Sequence, residues 1–556
     1  MLWFCPHEPA AIQALGRPNF VDIVEFRYRL CAGRQRHPSL LGGRENVNVR
    51  WTDIRVVHGT DADEPNGGTG LRVVTPNRNL APRAASNLLT LAARRGRPDE
   101  FGLTGRVYDT IGFIESVERV RGAGLTLAPT AMASMNNQWP SNQPISDLLA
   151  CASAFHVWLQ ARHVHALLLS GQRALGELFP GFEQDLARAG AVPLRAGLDV
   201  RVERPGYDPF PQRDLGWSGY AVSRPTIERT VRARVEGQRK ITLHQRCRVT
   251  EMLATPNGEA VTGVRCENGN GASETIRADL VVDASGRGGL TIALLQSIGR
   301  PLPEETTIGI DLGYATCIFA IPDDAPTDWK GVMSFGQAPQ NSRGGLMLPL
   351  EGNRWMVTIG GRHGDVPPGD AEGFLTYARS LRTPTIYNAI RQARRLDGVA
   401  RYGFPESVRR HFERLDVFPR GLLPIGDAIC RFNPVYGQGM SVAALEACLL
   451  KRLLKRLGED GNPIAALAPA FFAEAQALIE TPWSVAILDF AFPDTRGQRP
   501  ADFETTLKFG IALTRLAAED PAVHKLTLEV QHLLKPRSVY RDPTLVQRVF
   551  AKMTDA

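Results

Sequence analysis

Two short stretches carry residue types whose spacing suits the holding of a ligand. In residues 421–447, GLLPIGDAICRFNPVYGQGMSVAALEA, Gly426 precedes Asp427, Pro434 follows after a short loop, and Gly437-Gln438-Gly439 opens a helical pattern. The apolar run before Gly426 suits a buried strand, and Gly426 permits a tight turn with close backbone approach. Asp427 then stands at the carboxyl edge of a sheet, where open α/β sheets bind ligands. The unpaired N–H groups of a helix that starts at Gly437–Gly439 make a partly positive site. A polyol can bond to Asp427 while an electron-rich ring lies over the helix start. The rival reading is a strand, loop and helix with an incidental Asp. The combination of Gly-Asp, Pro and Gly-x-Gly argues against it. The second stretch, ADLVVDASGRGG, delivers Asp283 from a buried strand into a turn with Gly286, Arg287 and Gly288. It reads as a loop of small residues beside a dinucleotide, with Arg287 near phosphate; a plain surface turn is its rival.

The surrounding elements must position these groups. HVHALLLSGQRALGELF spaces its apolar residues like a helix ending near Pro180-Gly181. SRPTIERTVRARVEG reads as a second helix, and ITLHQRCRVTEMLATPNGEAVTGVRCENG as a hairpin turning at Asn257-Gly258. Residues 303–405 are strand-rich, with TIGIDLGYATCIFAI, GGLMLPL and RWMVTIGG, then the helical DAEGFLTYARSL. A long helix is expected over 441–457, and 464 onward reads as mostly helical with a break near FPDTRGQRP. Residues 1–155 show weak periodicity and turn-rich stretches, and no run of elements is placed there.

Composition narrows the classes. A chain of 556 residues is too long for one ordinary core, so two or three domains are expected. Apolar residues at 43% and charged residues at 22% are those of a soluble globular protein. No run of about 18 uncharged apolar residues stands out, so no transmembrane helix is expected. The opening residues have no basic region followed by an apolar core, so no signal peptide is expected. The eight cysteines show no metal-type spacing and read as reduced thiols in a cytoplasm. Net charge is +7, yet only eight of the 65 basic residues are Lys and the Arg are mixed with acids. That argues for codon bias of a GC-rich genome and against a nucleic-acid stripe. His163 and His165 lack a third ligand, so no metal site is expected.

The Gly-Asp and Asp-Ala-Ser-Gly segments together resemble the flavoprotein monooxygenases of the aromatic-hydroxylase and squalene-epoxidase-like type. The resemblance covers residues 160–556. It implies an α/β fold: a Rossmann-like FAD-binding domain of the glutathione-reductase kind, an inserted β-sheet substrate domain and a helical C-terminal region. On this reading 156–302 and 406–460 form the two parts of the FAD-binding domain, 303–405 the sheet domain and 461–556 the helical region. By resemblance Asp427 bonds the ribityl chain of FAD, Pro434 lines the flavin, and Gly437 and Gly439 face the pyrimidine end of its ring. Gly426, Asp283, Gly286 and Arg287 complete those motifs. RHVHALLLSGQRALGELFPG and YAVSRPTIERTVRARV are similar to the family's Arg-bearing segments, which makes Arg162 and Arg224 cofactor-binding candidates. Cys430 stands where many members carry His.

The resemblance further implies that NAD(P)H reduces the flavin and that oxygen forms a peroxyflavin which hydroxylates or epoxidises a hydrophobic or aromatic small molecule. No residue is assigned to acid–base catalysis. A flavin-dependent reductase or dehydrogenase that saturates prenyl chains is the alternative on the same fold, and a defective homologue is the third. No Trp-x-Trp-x-Ile stretch speaks for a halogenase. The C-terminal helices leave room for peripheral membrane contact if the substrate is a lipid. The family opens with GxGxxG and an acidic residue about 20 residues later. No such unit precedes Arg162; Gly122-Ala123-Gly124 lacks the third Gly, with Glu115 or Glu118 as the candidate acid. A divergent unit, a frame shift or wrong start, and a true replacement all account for this. The abrupt change near Ala161 favours the second.

Overall fold

The computed structural model describes residues 162–556, except 270, 459–462 and 555–556, and the backbone of four strands before them. One compact unit takes in Leu159–Ala556 and another His7–Trp158. The four strands belong to the latter: β1 (Ile23–Arg29), β2 (Thr52–Thr60), β3 (Thr69–Val74) and β4 (Thr126–Pro129). They form an antiparallel sheet in the order β3-β2-β1-β4. The sequence reading places no run of elements in 1–155, where these four strands lie. The signal is present in β1, where Val24, Phe26 and Tyr28 alternate with Glu25, Arg27 and Arg29. Gly122-Ala123-Gly124, Glu115 and Glu118 lie outside the described residues.

In the larger unit, α1 (Leu169–Leu178) starts later than the expected helix. The backbone before it is drawn elsewhere. Leu168 N–H donates to Ser441 Oγ at 3.0 Å, and His163 is held in the sheet by a 2.6 Å bond between its Nδ1 and Thr316 Oγ1. After α2 (Phe182–Arg188) come β5 (Val192–Arg195), β6 (Val200–Glu203), β7 (Ser218–Ala221) and α3 (Arg224–Glu236). The hairpin is β8 (Arg248–Ala254) and β9 (Val261–Glu267), with Gly258 in the left-handed region at φ +66° and β10 (Ser273–Arg277) added beside β9.

The site is framed by a small parallel pair. β11 (Val281–Asp283) runs beside β17 (Leu422–Pro424), with Val281 opposite Leu422 and Asp283 opposite Pro424. The chain leaves β11 through a turn into α4 (Gly289–Ser297) and leaves β17 through a 3-10 turn at Gly426–Ala428. Two ligand-type turns, some 140 residues apart in sequence, thus emerge side by side.

Between them lies a seven-stranded sheet ordered β18-β16-β12-β15-β14-β13-β6. It uses β12 (Glu305–Ala320), β13 (Gly331–Ser334), β14 (Gly344–Leu350), β15 (Arg354–Gly361), β16 (Ala400–Arg410) and β18 (Cys430–Arg431). The sheet is therefore not confined to 303–405: β6 pairs in parallel with β13, and Val408 and Arg409 of β16 pair with the two residues of β18. One face packs on α5 (Ala371–Arg379) and α6 (Thr385–Ile390) through Phe319, Trp355, Phe374 and Ile386.

The last elements are helical: α7 (Gly439–Gly458), α8 (Pro463–Val485), α9 (Phe503–Glu519), α10 (Pro521–Gln531) and α11 (Pro543–Thr554). The stretch Pro463–Ala491 is long and apolar enough to cross a membrane by length and composition. Its Leu467, Phe471, Phe472 and Ile479 pack with Leu449 and Leu453 of α7 in one core cluster. The five cysteines among the described residues are buried and unpaired.

Candidate functional site

Sequence dictates the local shape of the Gly426 turn. Gly426 has φ +63°, which an L side chain rarely adopts, and its N–H donates to Glu446 Oε2 at 2.5 Å. The turn presents Asp427. Its side chain is exposed to solvent, yet the surrounding protein is dense enough for desolvation to raise its carboxyl above the usual range. The turn thus presents a solvent-reaching carboxylate that the neighbouring protein partly desolvates. The guanidiniums of Arg431 and Arg224 act on it in the opposite direction, holding its negative charge.

The walls follow from close approaches. A Cβ built on Gly439, the first residue of α7, would sit 3.9 Å from Asp427 Oδ1. The helix start, with its unpaired N–H groups, therefore lies beside the carboxylate. Gly437 has φ +65°, and a Cβ there would meet Ala166 at 3.2 Å, so the loop before α7 rests on the segment before α1. Gly288 has φ +65° and would meet Ala428 at the same distance, which binds the turn after β11 to the Gly426 turn. Gly286, with φ +88°, faces open space. Three buried polar atoms of the same segments have no hydrogen-bond partner among the described residues: Glu446 Oε1, Gln438 Oε1 and Arg431 Nε.

The expected site residues divide into groups. Gly426, Asp427, Gly437 and Gly439 come together. Arg224 opens α3 and joins them: it acts on Asp427, bonds Glu228 Oε1 at 2.7 Å and meets His165 Nε2 at 3.3 Å. Arg287 is exposed beside Arg431, whose charge it disfavours after burial has done so. Pro434 is exposed in the 3-10 turn Pro434–Tyr436.

Asp283 is occupied internally. Its Oδ1 accepts from Ser285 N and Oγ, and its Oδ2 from Thr291 N and Oγ1, at 2.5–3.2 Å. It fastens the turn and caps α4. Arg162 pairs with Asp397 at 2.6 Å and acts on His163 and Cys317.

Sequence reasoning missed several participants. Glu446 is fully buried on α7, in line with Val442, Leu449 and Leu453. A Glu inside an apolar helical stripe is a readable signal. Arg431 had no such signal. Nor did Asp489, which is fully buried and accepts from Arg362 Nη1, from Asn433 Nδ2 at 3.0 Å and from Tyr436 Oη at 2.9 Å. This network pins the Pro434 turn to the end of β15. Tyr314 and Tyr402, 5.4 Å apart on β12 and β16, form an aromatic wall with His163. Burial raises the Tyr314 phenol, and burial, then His165 and Arg162, lower His163 to about 3, so both stay neutral. Among the described residues no group of three potential metal ligands occurs. His165 Nδ1 bonds the His163 carbonyl at 2.8 Å.

No protein-family model matches the chain. It is 34% identical over 304 residues to the protein Rv3254 of Mycobacterium tuberculosis, a match covering 53% of this chain and 64% of that one. The chain thus spans less than two thirds of that relative's length. Among solved structures it is similar to a flavoprotein/dehydrogenase from Cytophaga hutchinsonii, with a TM-score of 0.51 and 14% identity over 70% of this chain and 89% of that one. That likeness shows the fold. Other neighbours include the flavin-dependent brominase Bmp2, with a TM-score of 0.49, 15% identity and coverage of 70% and 89%. The p-nitrophenol 4-monooxygenase PnpA of Pseudomonas putida has a TM-score of 0.47, 16% identity and coverage of 67% and 90%. The structural neighbours are flavin-dependent halogenases, FAD-dependent monooxygenases and flavoproteins of this kind.

Proposed function

We propose that the chain is an FAD-dependent oxidoreductase: a monooxygenase that places one oxygen atom of O2 into a hydrophobic or aromatic small molecule, with NAD(P)H as the electron source. The observation that carries this reading is Asp427, a solvent-exposed carboxylate set against the first turn of α7, with the guanidiniums of Arg431 and Arg224 acting on it. The residues fit FAD. Asp427 would accept hydrogen bonds from the hydroxyls of a ribityl chain, and such bonds to a carboxylate are among the stronger ones. Gly437 and Gly439 let a ring approach the backbone, and the N–H groups of α7 favour its electron-rich edge. Pro434 offers a flat apolar surface. Arg224 and Arg287 are the candidate cations toward the phosphates, with Arg431 as a further one.

When bound, FAD supplies the redox chemistry and the activation of oxygen. The chain supplies binding, orientation and dryness. Tyr314, Tyr402 and the neutral His163 make an aromatic wall that disfavours water. The joining of β11 to β17 supports an FAD-binding unit made of 156–302 and 406–460, with most of the sheet inserted between them.

The test begins with the absorbance of the purified protein. Flavin bands, or their appearance after FAD is added, support the reading, and a colourless protein that takes up no FAD sinks it. With NAD(P)H and labelled oxygen gas, the label is expected in the product. A product formed equally well without oxygen would instead establish a reductase.

A further inference from the structure

Glu446, on α7, bonds the backbone of the Gly426 turn beside Asp427, and the proposed function gives its side chain no role of its own. It is fully buried. One oxygen accepts from Gly426 N–H at 2.5 Å, and the other has no hydrogen-bond partner among the described residues. A buried carboxylate with an oxygen that no described residue satisfies is costly, whereas the neutral acid carries no net charge into the interior.

We propose that Glu446 is a positioning residue of the Asp427 site: as a neutral carboxylic acid it holds the Gly426 turn in the conformation that aims Asp427 at the cofactor. The inference rests on the FAD reading. Glu446 bonds the N–H of the residue before Asp427, and the charge of Asp427 opposes ionisation of Glu446. The groups that face Glu446 are Asp427 on the turn and Cys430 on β18; Arg409 and Glu413 act on that same thiol. No guanidinium acts on Glu446, while Arg431 and Arg224 act on Asp427. Asp427 also reaches solvent. The proton therefore belongs to Glu446 and the charge to Asp427. Burial pushes the Glu446 carboxyl up to about 7; the Gly426 N–H opposes this and Asp427 adds to it.

A consequence follows by linkage. A polyol bonded to Asp427 displaces its water and fixes its charge, which raises the cost of a second charge at Glu446. Cofactor binding above neutral pH then takes up a proton, and affinity falls as pH rises.

The experiment titrates FAD into the full chain stripped of flavin, from pH 6.5 to 8.5, for the parent, Glu446→Gln and Glu446→Ala. The parent Kd is expected to rise by up to about tenfold per pH unit above neutrality. Glu446→Gln, whose amide oxygen still accepts from Gly426 N–H, should bind within about twofold of the parent at pH 6.5 and lose the slope. Glu446→Ala should bind weakly throughout. Equal slopes in parent and Glu446→Gln would overturn the proposal. So would weak binding by Glu446→Gln at pH 6.5 with an unchanged melting temperature, since the carboxylate itself would then be needed. An infrared difference spectrum of the two flavin-free proteins gives an independent readout. A protonated carboxylic band at neutral pH should be present in the parent and missing in Glu446→Gln; its absence from the parent also overturns the proposal. A chain that takes up no FAD at any pH sinks the FAD reading and the positioning role together, and the infrared band tells that outcome from failure of Glu446 alone.

Discussion

Asp427 and Asp489 serve opposite ends of one loop and are treated in opposite ways. Asp489 is fully buried and its two oxygens are taken by Arg362, Asn433 and Tyr436. Asp427 reaches solvent, is raised by desolvation, and has guanidiniums near it that leave its oxygens unclaimed by any bond among the described residues. A carboxylate sealed by bonds holds structure together. One left desolvated but open invites an external donor. Asp283 shows that a carboxylate at a sheet edge is no guide by itself, because its four bonds make it the sealed kind.

The contrast is broken most directly at Asp489. Asp489→Ala leaves Arg362, itself buried and stacked over Phe492 at 5.0 Å, without its counter-charge. Removing one partner of a buried pair costs about 3–5 kcal/mol. Chemical denaturation should show this loss, and FAD affinity should fall with it because the Pro434 turn is released. If Asp489→Ala unfolds at the parent's denaturant midpoint, the sealed carboxylate is not structural and the comparison fails.

Glu446 gives the next effect, on stability against pH. Its carboxyl ionises at 4.5 when unfolded and at about 7 when folded. A raised acid stabilises the fold fully below pH 4.5, and that contribution is lost as pH climbs through about 7. An interval of roughly 2.5 pH units corresponds to about 3 kcal/mol. Stability of Glu446→Gln relative to the parent should therefore grow between pH 5 and pH 8. A constant difference across that range would show that Glu446 carries no proton in the fold.

At Asp427 the effect on stability is smaller. Asp427→Asn removes a desolvated charge and with it a counter-charge of Arg431, two opposing effects, so the melting temperature without FAD should change little. Its affinity for FAD should drop by about 1.5–3 kcal/mol, the worth of hydrogen bonds to a charged acceptor. Equilibrium titration measures this against Asp283→Asn, which should lower stability. Were Asp283→Asn instead to lose affinity at full stability, the roles of the two would be exchanged.

The sequence made the open carboxylate legible and hid the sealed one. Asp427 announces itself through neighbours in the chain: an apolar strand, a Gly turn and a Gly-x-Gly helix start. The partners of Asp489 come from positions 362, 433 and 436, so no spacing betrays them. The same reason hid the sheet order. β6 joins β13 across more than 120 residues, and two-residue β18 is too short to show a period. The helices α7 and α3 were readable because their stripe is local. The late start of α1 was not, because Leu168 N–H bonds Ser441 on a helix 273 positions away. β1 was readable by alternation and was passed over among turn-rich neighbours.

The finest test compares two glycines. Gly437 carries the loop from the sealed end to the open end with φ +65°, and a Cβ there would press on Ala166. Gly176 sits inside α1 with nothing within 4 Å of an added Cβ. An alanine at 437 meets the left-handed penalty of about 1–2 kcal/mol. An alanine at 176 should stabilise by about 0.5–1 kcal/mol, since glycine is the poorer helix former. The informative quantity is how Gly437→Ala divides its cost. If the loop only joins two elements, melting temperature falls and FAD affinity per folded molecule is kept. If it sets the distance between the helix start and Asp427, affinity falls further than stability does, because the added carbon moves Gly439 off the carboxylate. Denaturation and FAD titration on both variants separate the two, with Gly176→Ala expected to leave affinity unchanged.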